Sequence, residues 1–181
     1  MRVLRALVAA IAAAASSGCL VLSLQPAYDA ESVAFDEGLV GVWTNADDET
    51  QAAIERGEWR SYRVTYTDRF ASHALQGNLT RIGDASYLDL TETRGSDAGP
   101  FLLPAHILVR VERHDDTLVA SPLDYRWFSR AMEQKTLGGL TTAFDDRRNA
   151  IIASPVAELR QWLAHIPDAA VSAAMTFTRK K

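Results

Sequence analysis

Few residues of this chain are able to do chemistry. Cys19 is the only cysteine, so an internal disulfide is impossible and the thiol is open to covalent modification. Four histidines, His73, His106, His114 and His165, show no metal-ligand spacing. No His-Glu-x-x-His helix, Gly-x-Ser-x-Gly elbow or phosphate-binding glycine loop is present. His114 belongs to a polar turn, and His165 lies near a helix end where positive charge complements the dipole. Asp47-Asp48-Glu49 offers carboxylates of the kind a hard cation takes, but lacks the spacing and glycine of a calcium loop and reads as a solvated turn. Asp145-Asp146-Arg147-Arg148 reads as a charged loop. Arg63, Arg81 and Arg110 fall in strand-like segments, where outward and solvated is the default and an inward one would anchor a carboxylate. Arg110, with Tyr62 and Tyr66, is therefore a candidate for lining a ligand cavity, the tyrosines otherwise filling a core. The pattern points to no catalysis, no metal and no cofactor.

What precedes the single thiol gives it a meaning. Arg2 and Arg5 lead into a run from Ala6 to Tyr28 without a charged residue, alanine-rich from Ala9 to Ala15 and ending in Ser16-Ser17-Gly18-Cys19. A short basic lead, an apolar segment and a small-residue cleavage site make a secretory signal. The arginines are not adjacent, so the general secretory route is expected. Ser16-Ser17-Gly18-Cys19 resembles the bacterial lipobox, although leucine is usual where Ser16 stands. That resemblance implies a signal peptide over 1–18 and diacylation of the Cys19 sulfur, as with palmitate, at the new N-terminus. Two acyl chains, at about 0.8 kcal/mol per buried methylene, anchor durably. The alternatives are a retained span, since about 20 apolar residues cross a bilayer, and an ordinary cleaved signal. Leu20 rather than aspartate after the cysteine implies the outer membrane of a double-membraned cell, with the domain facing the periplasm.

Arg2 and Arg5 leave with the signal, so the 19 basic and 23 acidic residues of the chain become a net charge near −6. Apart from Arg179-Lys180-Lys181 nothing basic is clustered, which argues against nucleic acid. About 160 residues remain, roughly half of them hydrophobic, enough for one domain. Residues 19–38 carry Gln25, Pro26, Asp29, Glu31, Asp36 and Glu37 without a sustained apolar period and read as a lipidated tether, with Tyr28 or Phe35 able to dock on the surface.

The domain is expected over 39–181 and to be mainly β. Leu39 to Trp43 opens it and Ile54 marks a short strand before Arg56-Gly57. Trp59 to Thr67 alternates, with Tyr62, Val64 and Tyr66 on one face. Ser72 to Ile82 and Ser86 to Leu90 flank Gly83-Asp84, a turn with glycine first as type II′ prefers. Ala105, Ile107, Val109 and Val111 alternate up to the turn at His114-Asp115-Asp116, and Thr117 to Ala120 follows. Asp124 caps a helix with Leu123, Trp127, Ala131 and Met132 as its stripe. Ser154 as N-cap and Pro155 start a second, with Val156, Leu159, Leu163 and Ile166 buried and Trp162 alongside. Ala173 to Arg179 makes the last strand, with Met175 and Phe177 on one side.

Gly41-Val42-Trp43 at the first strand resembles the Gly-x-Trp signature of lipocalins and the wider calycin group. In that group the tryptophan closes one end of an up-and-down barrel, and a basic residue of the last strand packs over its ring, a role the resemblance gives to Arg179. With the strand order above it implies an antiparallel meander or small calycin-like barrel of about seven or eight strands, able to hold one small ligand, and the two short helices and the lack of a disulfide are where the chain departs from the lipocalin pattern. The wider stretch from Leu24-Gln25-Pro26 through Gly41-x-Trp43 and Tyr62-Arg63-Val64-Thr65-Tyr66 to the C-terminal helix is similar to uncharacterised bacterial lipoproteins of calycin-like type. The expected role is a membrane-anchored envelope lipoprotein binding a small apolar ligand or lipid. The alternative is an interaction scaffold without a ligand cavity, docking on an envelope protein through exposed aromatics such as Trp59 and Trp127.

Overall fold

The structure, a computed structural model, describes residues 20–93 and 104–180. The expected signal peptide (1–18) and Cys19 lie outside the described residues. Eight strands form a closed antiparallel barrel: β3 (Gly41–Thr44), β4 (Gln51–Arg56), β5 (Ser61–Thr67), β6 (Ser72–Ile82), β7 (Ala85–Glu92), β8 (His106–His114), β9 (Thr117–Pro122) and β12 (Met175–Arg179). Each strand pairs with the next, and β12 closes the ring between β9 and β3. This is the mainly β, calycin-like architecture that alternation and the Gly-x-Trp start implied. The tightest connection is Gly83-Asp84, across which Ile82 pairs with Ala85. Gly83 has φ +58, the left-handed first position that a type II′ turn demands and that glycine fills without steric cost.

Two helices fill the excursion between β9 and β12: α1 (Tyr125–Glu133) and α2 (Val156–Leu163). Asp124 caps α1, its carboxylate accepting the Trp127 N–H at 2.7 Å. The residue α1 buries most deeply is Phe128 rather than Trp127. Ser154 does not cap α2 by a side-chain bond; its enclosed hydroxyl accepts the Thr141 N–H at 2.8 Å instead, tying the helix start to the preceding loop.

Among the described residues there are two cores of equal size. Thirteen buried side chains fill the barrel, among them Trp43, Ile54, Tyr62, Val64, Leu88, Val111 and Phe177. Thirteen more form an outer core between the barrel wall and the helices, including Tyr87, Leu108, Phe128, Leu159 and Leu163. At roughly 1.5–3 kcal/mol for a fully buried large apolar side chain, the outer core matters as much as the interior. It explains why β7 and β8 are buried on both faces: Leu88 and Val109 point in, Tyr87 and Leu108 point out, and all four are covered.

The stretch read as a tether is instead part of the domain. β1 (Val21–Ser23) runs parallel to β11 (Ala150–Ile152), touches β8 through the Ser23–His106 pair, and leaves β10 (Thr142–Phe144) on the outside. Residues 24–32 then cross the barrel wall, β2 (Val33–Ala34) pairs with β6, and a 3-10 turn at Glu37–Leu39 tucks Leu39 into the barrel. The period was invisible in sequence because β1 is inverted: Val21 and Ser23 are enclosed while Leu20 and Leu24 face out.

Candidate functional site

The end of the barrel where β3 begins is sealed. Arg179 lies opposite Trp43 in the β12–β3 ladder, its guanidinium carbon 4.2 Å from the centre of the indole ring. The guanidinium also donates to the Val40 carbonyl at 2.6 Å and to the Gly38 carbonyl, while Trp43 Nε1 donates to the Leu39 carbonyl at 2.8 Å. Gly41 has φ +149, and a Cβ there would collide with Arg179. Gly41, Trp43 and Arg179 therefore act as one closure, an enclosed indole under a planar cation.

Tyr62 sits inside this seal. Its side chain is wholly buried and stacks on Phe35, ring centres 4.9 Å apart. Its hydroxyl accepts the Asp36 N–H at 2.7 Å and donates to the Asp36 carbonyl at 3.1 Å, so both polar functions hold the incoming segment. Burial raises the phenol pKa above the ordinary tyrosine value. Tyr66, at the opposite end, is half-buried, and its phenol is raised for the same reason. With Leu75, Leu90, Ile107 and Met175 it rings the mouth of the barrel. Arg110 is not brought to this interior. It leaves the wall outward, paired with Asp168 at 3.2 Å and Glu112 at 3.4 Å. Arg63 likewise faces out, against Glu55 at 3.3 Å, and Arg81 is exposed.

A polar cluster that sequence reasoning missed lies in the outer core. Asp89, fully enclosed, places Oδ1 2.6 Å from His106 Nδ1 and accepts the Ala27 N–H on Oδ2 at 2.7 Å. Ser23, also fully enclosed, is the ladder partner of His106. The residue types are those of a hydrolytic relay, but the trio is enclosed, and the Ser23 hydroxyl is spent on the Gln25 carbonyl at 2.6 Å. The geometry is that of a clamp on residues 24–34. Arg160 of α2 completes it, donating to the Ala27 carbonyl at 2.6 Å, Thr80 Oγ1 at 3.0 Å and Ser32 Oγ at 3.1 Å. Asp89 gave no signal in sequence because an acid between two leucines looks like the solvated face of a strand; only the crossing segment buries it. Tyr28, beside it, has its phenol raised by burial and by the Asp89 charge.

The remaining candidates are surface features. His73, His114 and His165 are exposed. The Asp47–Glu49 turn is held by Asn45 and Asp48 side chains accepting backbone N–H groups. Asp145 organises its loop in the same way, accepting from Arg147 and Asn149, which lowers its carboxyl below the ordinary value. Among the described residues no group of three His, Cys, Asp or Glu could hold a metal ion, and no helix is long and apolar enough to cross a membrane. Trp127 is partly buried and packs against the outer core.

Trp59 differs from all of these. It is 96% exposed and adopts φ +56, a conformation that costs an L-residue roughly 1–2 kcal/mol. The β4–β5 turn enforces it through Gly57 N–H to the Ser61 carbonyl at 2.9 Å and Ser61 Oγ to the Glu58 carbonyl at 2.6 Å. The indole overhangs an open groove of about 1040 Å³ on the outer face of β4–β6, lined also by Glu55, Glu58, Arg60, Arg63 and Gln76. Set against family models, curated proteins and solved structures, the chain matches none.

Proposed function

We propose that this chain is a non-enzymatic envelope lipoprotein, acylated on Cys19 and facing the periplasm from the outer membrane, whose barrel is a packed scaffold that presents the Trp59 groove to another envelope protein. One contrast supports the reading. Tyr62, expected to line a ligand cavity, is wholly buried and spent on structure, whereas Trp59 is 96% exposed on a strained, hydrogen-bonded turn. Strain of this kind concentrates where a side chain is held ready for a partner. The mixed charges of Glu55, Glu58, Arg60 and Arg63 around an indole suit a polypeptide segment carrying both charges and one apolar anchor. An anchoring tryptophan commonly contributes about 2 kcal/mol or more to an interface, so Trp59→Ala is expected to lower partner recovery from envelope extracts by roughly thirtyfold with unfolding unchanged. Equal recovery from both proteins would refute the groove. Replacing Cys19 by alanine is expected to move the protein from the membrane pellet to the soluble fraction, and an unchanged pellet would refute the anchor.

A second reading is favoured by the ring of half-buried apolar side chains at the mouth, Tyr66, Leu75, Leu90, Ile107 and Met175, which would hold one end of a small lipid. Titration with a fluorescent fatty acid decides it: saturable binding abolished by Met175→Glu supports it, and its absence from the parent protein removes it.

A further inference from the structure

The small sheet of β1, β11 and β10 has one face on the outer core and one face turned away from it. Val21, Ala150 and Ile152 point inward and are buried. Alternation sends Leu20, Leu22 and Leu24 the other way, and register sets Leu22 beside Ile151 and Ile151 beside Ala143. None of these three strands contains an ionisable residue. Leu20 is 46% and Leu24 37% exposed, two of the four large apolar side chains exposed among the described residues. A soluble sheet normally puts polar residues on its outer face; this one puts leucines there.

The chain outside the structure says what covers them. It ends at Cys19, one peptide bond from Leu20, and consecutive Cα atoms are only about 3.8 Å apart. Leu20 is already held on both sides, its N–H donating to Asn149 Oδ1 at 2.9 Å and its carbonyl accepting the Ala150 N–H at 2.9 Å. Leu20, the residue that follows the thiol, is thereby fixed to the sheet.

Resting on the acylation of Cys19 proposed above, we propose that the Leu20–Leu22–Leu24–Ile151–Ala143 face lies in the surface of the phospholipid bilayer as a second, protein-borne contact that fixes how the barrel stands on the membrane. Acyl chains leaving residue 19 enter the bilayer beside this face, so the boundary between headgroups and hydrocarbon meets the leucines. The attraction is apolar, because a mature chain near −6 gains nothing from anionic lipid. The orientation is functional: Ser23 pairs with His106 at the mouth end of the barrel, and the β4–β5 turn with Trp59 is at the other end, directed away from the membrane towards a partner.

The test uses the acylated full chain in phosphatidylcholine vesicles. Acylation occupies Cys19, the only native cysteine, so a thiol introduced by Ala143→Cys takes an environment-sensitive fluorophore alone. Arg63→Cys, whose parent side chain is 73% exposed on the barrel wall, serves as the reference. The expected result is blue-shifted emission at position 143 that loses most of its intensity when spin-labelled lipid is added, with neither change at position 63, and no gain from anionic lipid. Protein that floats with the vesicles but keeps position 143 as wet as position 63 would overturn the docking face and leave the anchor standing. Protein left in the aqueous phase would overturn the anchor, and the face with it. Shielding at position 143 that persists in detergent and grows with protein concentration would mean that a second copy covers the leucines, and would also overturn the proposal.

Discussion

Asp89→Ala tests whether the crossing segment is held by its clamp or merely lies on the barrel. The carboxylate is fully enclosed and carries two short bonds, to His106 Nδ1 at 2.6 Å and to the Ala27 N–H at 2.7 Å. Hydrogen bonds to a charged group contribute about 1.5–3 kcal/mol each, and a buried donor left without its acceptor adds its own desolvation cost. These losses overlap, so the total expected is about 3–5 kcal/mol, as for breaking a buried ion pair. That is a large part of the 5–15 kcal/mol typical of a domain. With a urea slope near 2 kcal/mol/M, the unfolding midpoint should fall by roughly 1.5–2.5 M. The Ala27 amide should report the same event locally, exchanging some hundred- to thousandfold faster if the segment opens by itself. Asp89→Asn, which keeps one carbonyl acceptor, should lose about half as much. A midpoint shift below about 0.3 M with Ala27 still protected would refute the reasoning and leave the segment held by Arg160 and by the pairing of β2 with β6.

Two further outcomes follow from the sealed end. Arg179→Lys gives up the paired donation to the Gly38 and Val40 carbonyls and the flat contact with Trp43, and should cost about 1–2 kcal/mol, read by urea unfolding together with a red shift of indole emission; unaltered emission would show that the ring is closed over without the arginine. Burial raises the phenol of Tyr62 in the folded state, so its contribution is fully present below pH 10, the unfolded value, and is lost as pH rises from there through the folded pKa, because the unfolded chain ionises first. Tyr62→Phe should therefore destabilise by about 1–2 kcal/mol at neutral pH and show a shallower alkaline loss, with Tyr28, Tyr66 and Tyr87 keeping the remainder; an identical alkaline slope would refute that assignment.

The barrel was legible because its strands obey simple local rules. Tyr62, Val64 and Tyr66 alternate, Gly83-Asp84 makes its turn, and Asp124 caps its helix. The place of Trp43 beneath Arg179 could be anticipated only through the Gly-x-Trp resemblance, since ring-to-guanidinium contact across 136 positions has no local trace. What stayed hidden depends on tertiary cover. The three-residue strands β10 and β11 are too short to show a period, and the leucines flanking β1, Leu20 and Leu24, face outward while Val21 and Ser23 are enclosed. Phe128 was passed over because Trp127 also fits the helical stripe. Asp89 and Ser23 carry polar side chains that only residues 24–34 and the outer sheet enclose, whereas Arg110 points outward, on the opposite face from Val109 and Val111, as the alternation of its strand requires.

The pairing of Val21 with Ala150 carries a kinetic consequence. The first strand of the domain finds its neighbour about 130 residues later, and the ring itself closes only when the last strand reaches the third. Such long loops must be gathered before any bond rewards them, which makes folding slow. A polypeptide completed by its outermost strands cannot reach its native shape until the last of them has been added, so the ring stays open for as long as any part of β12 is missing.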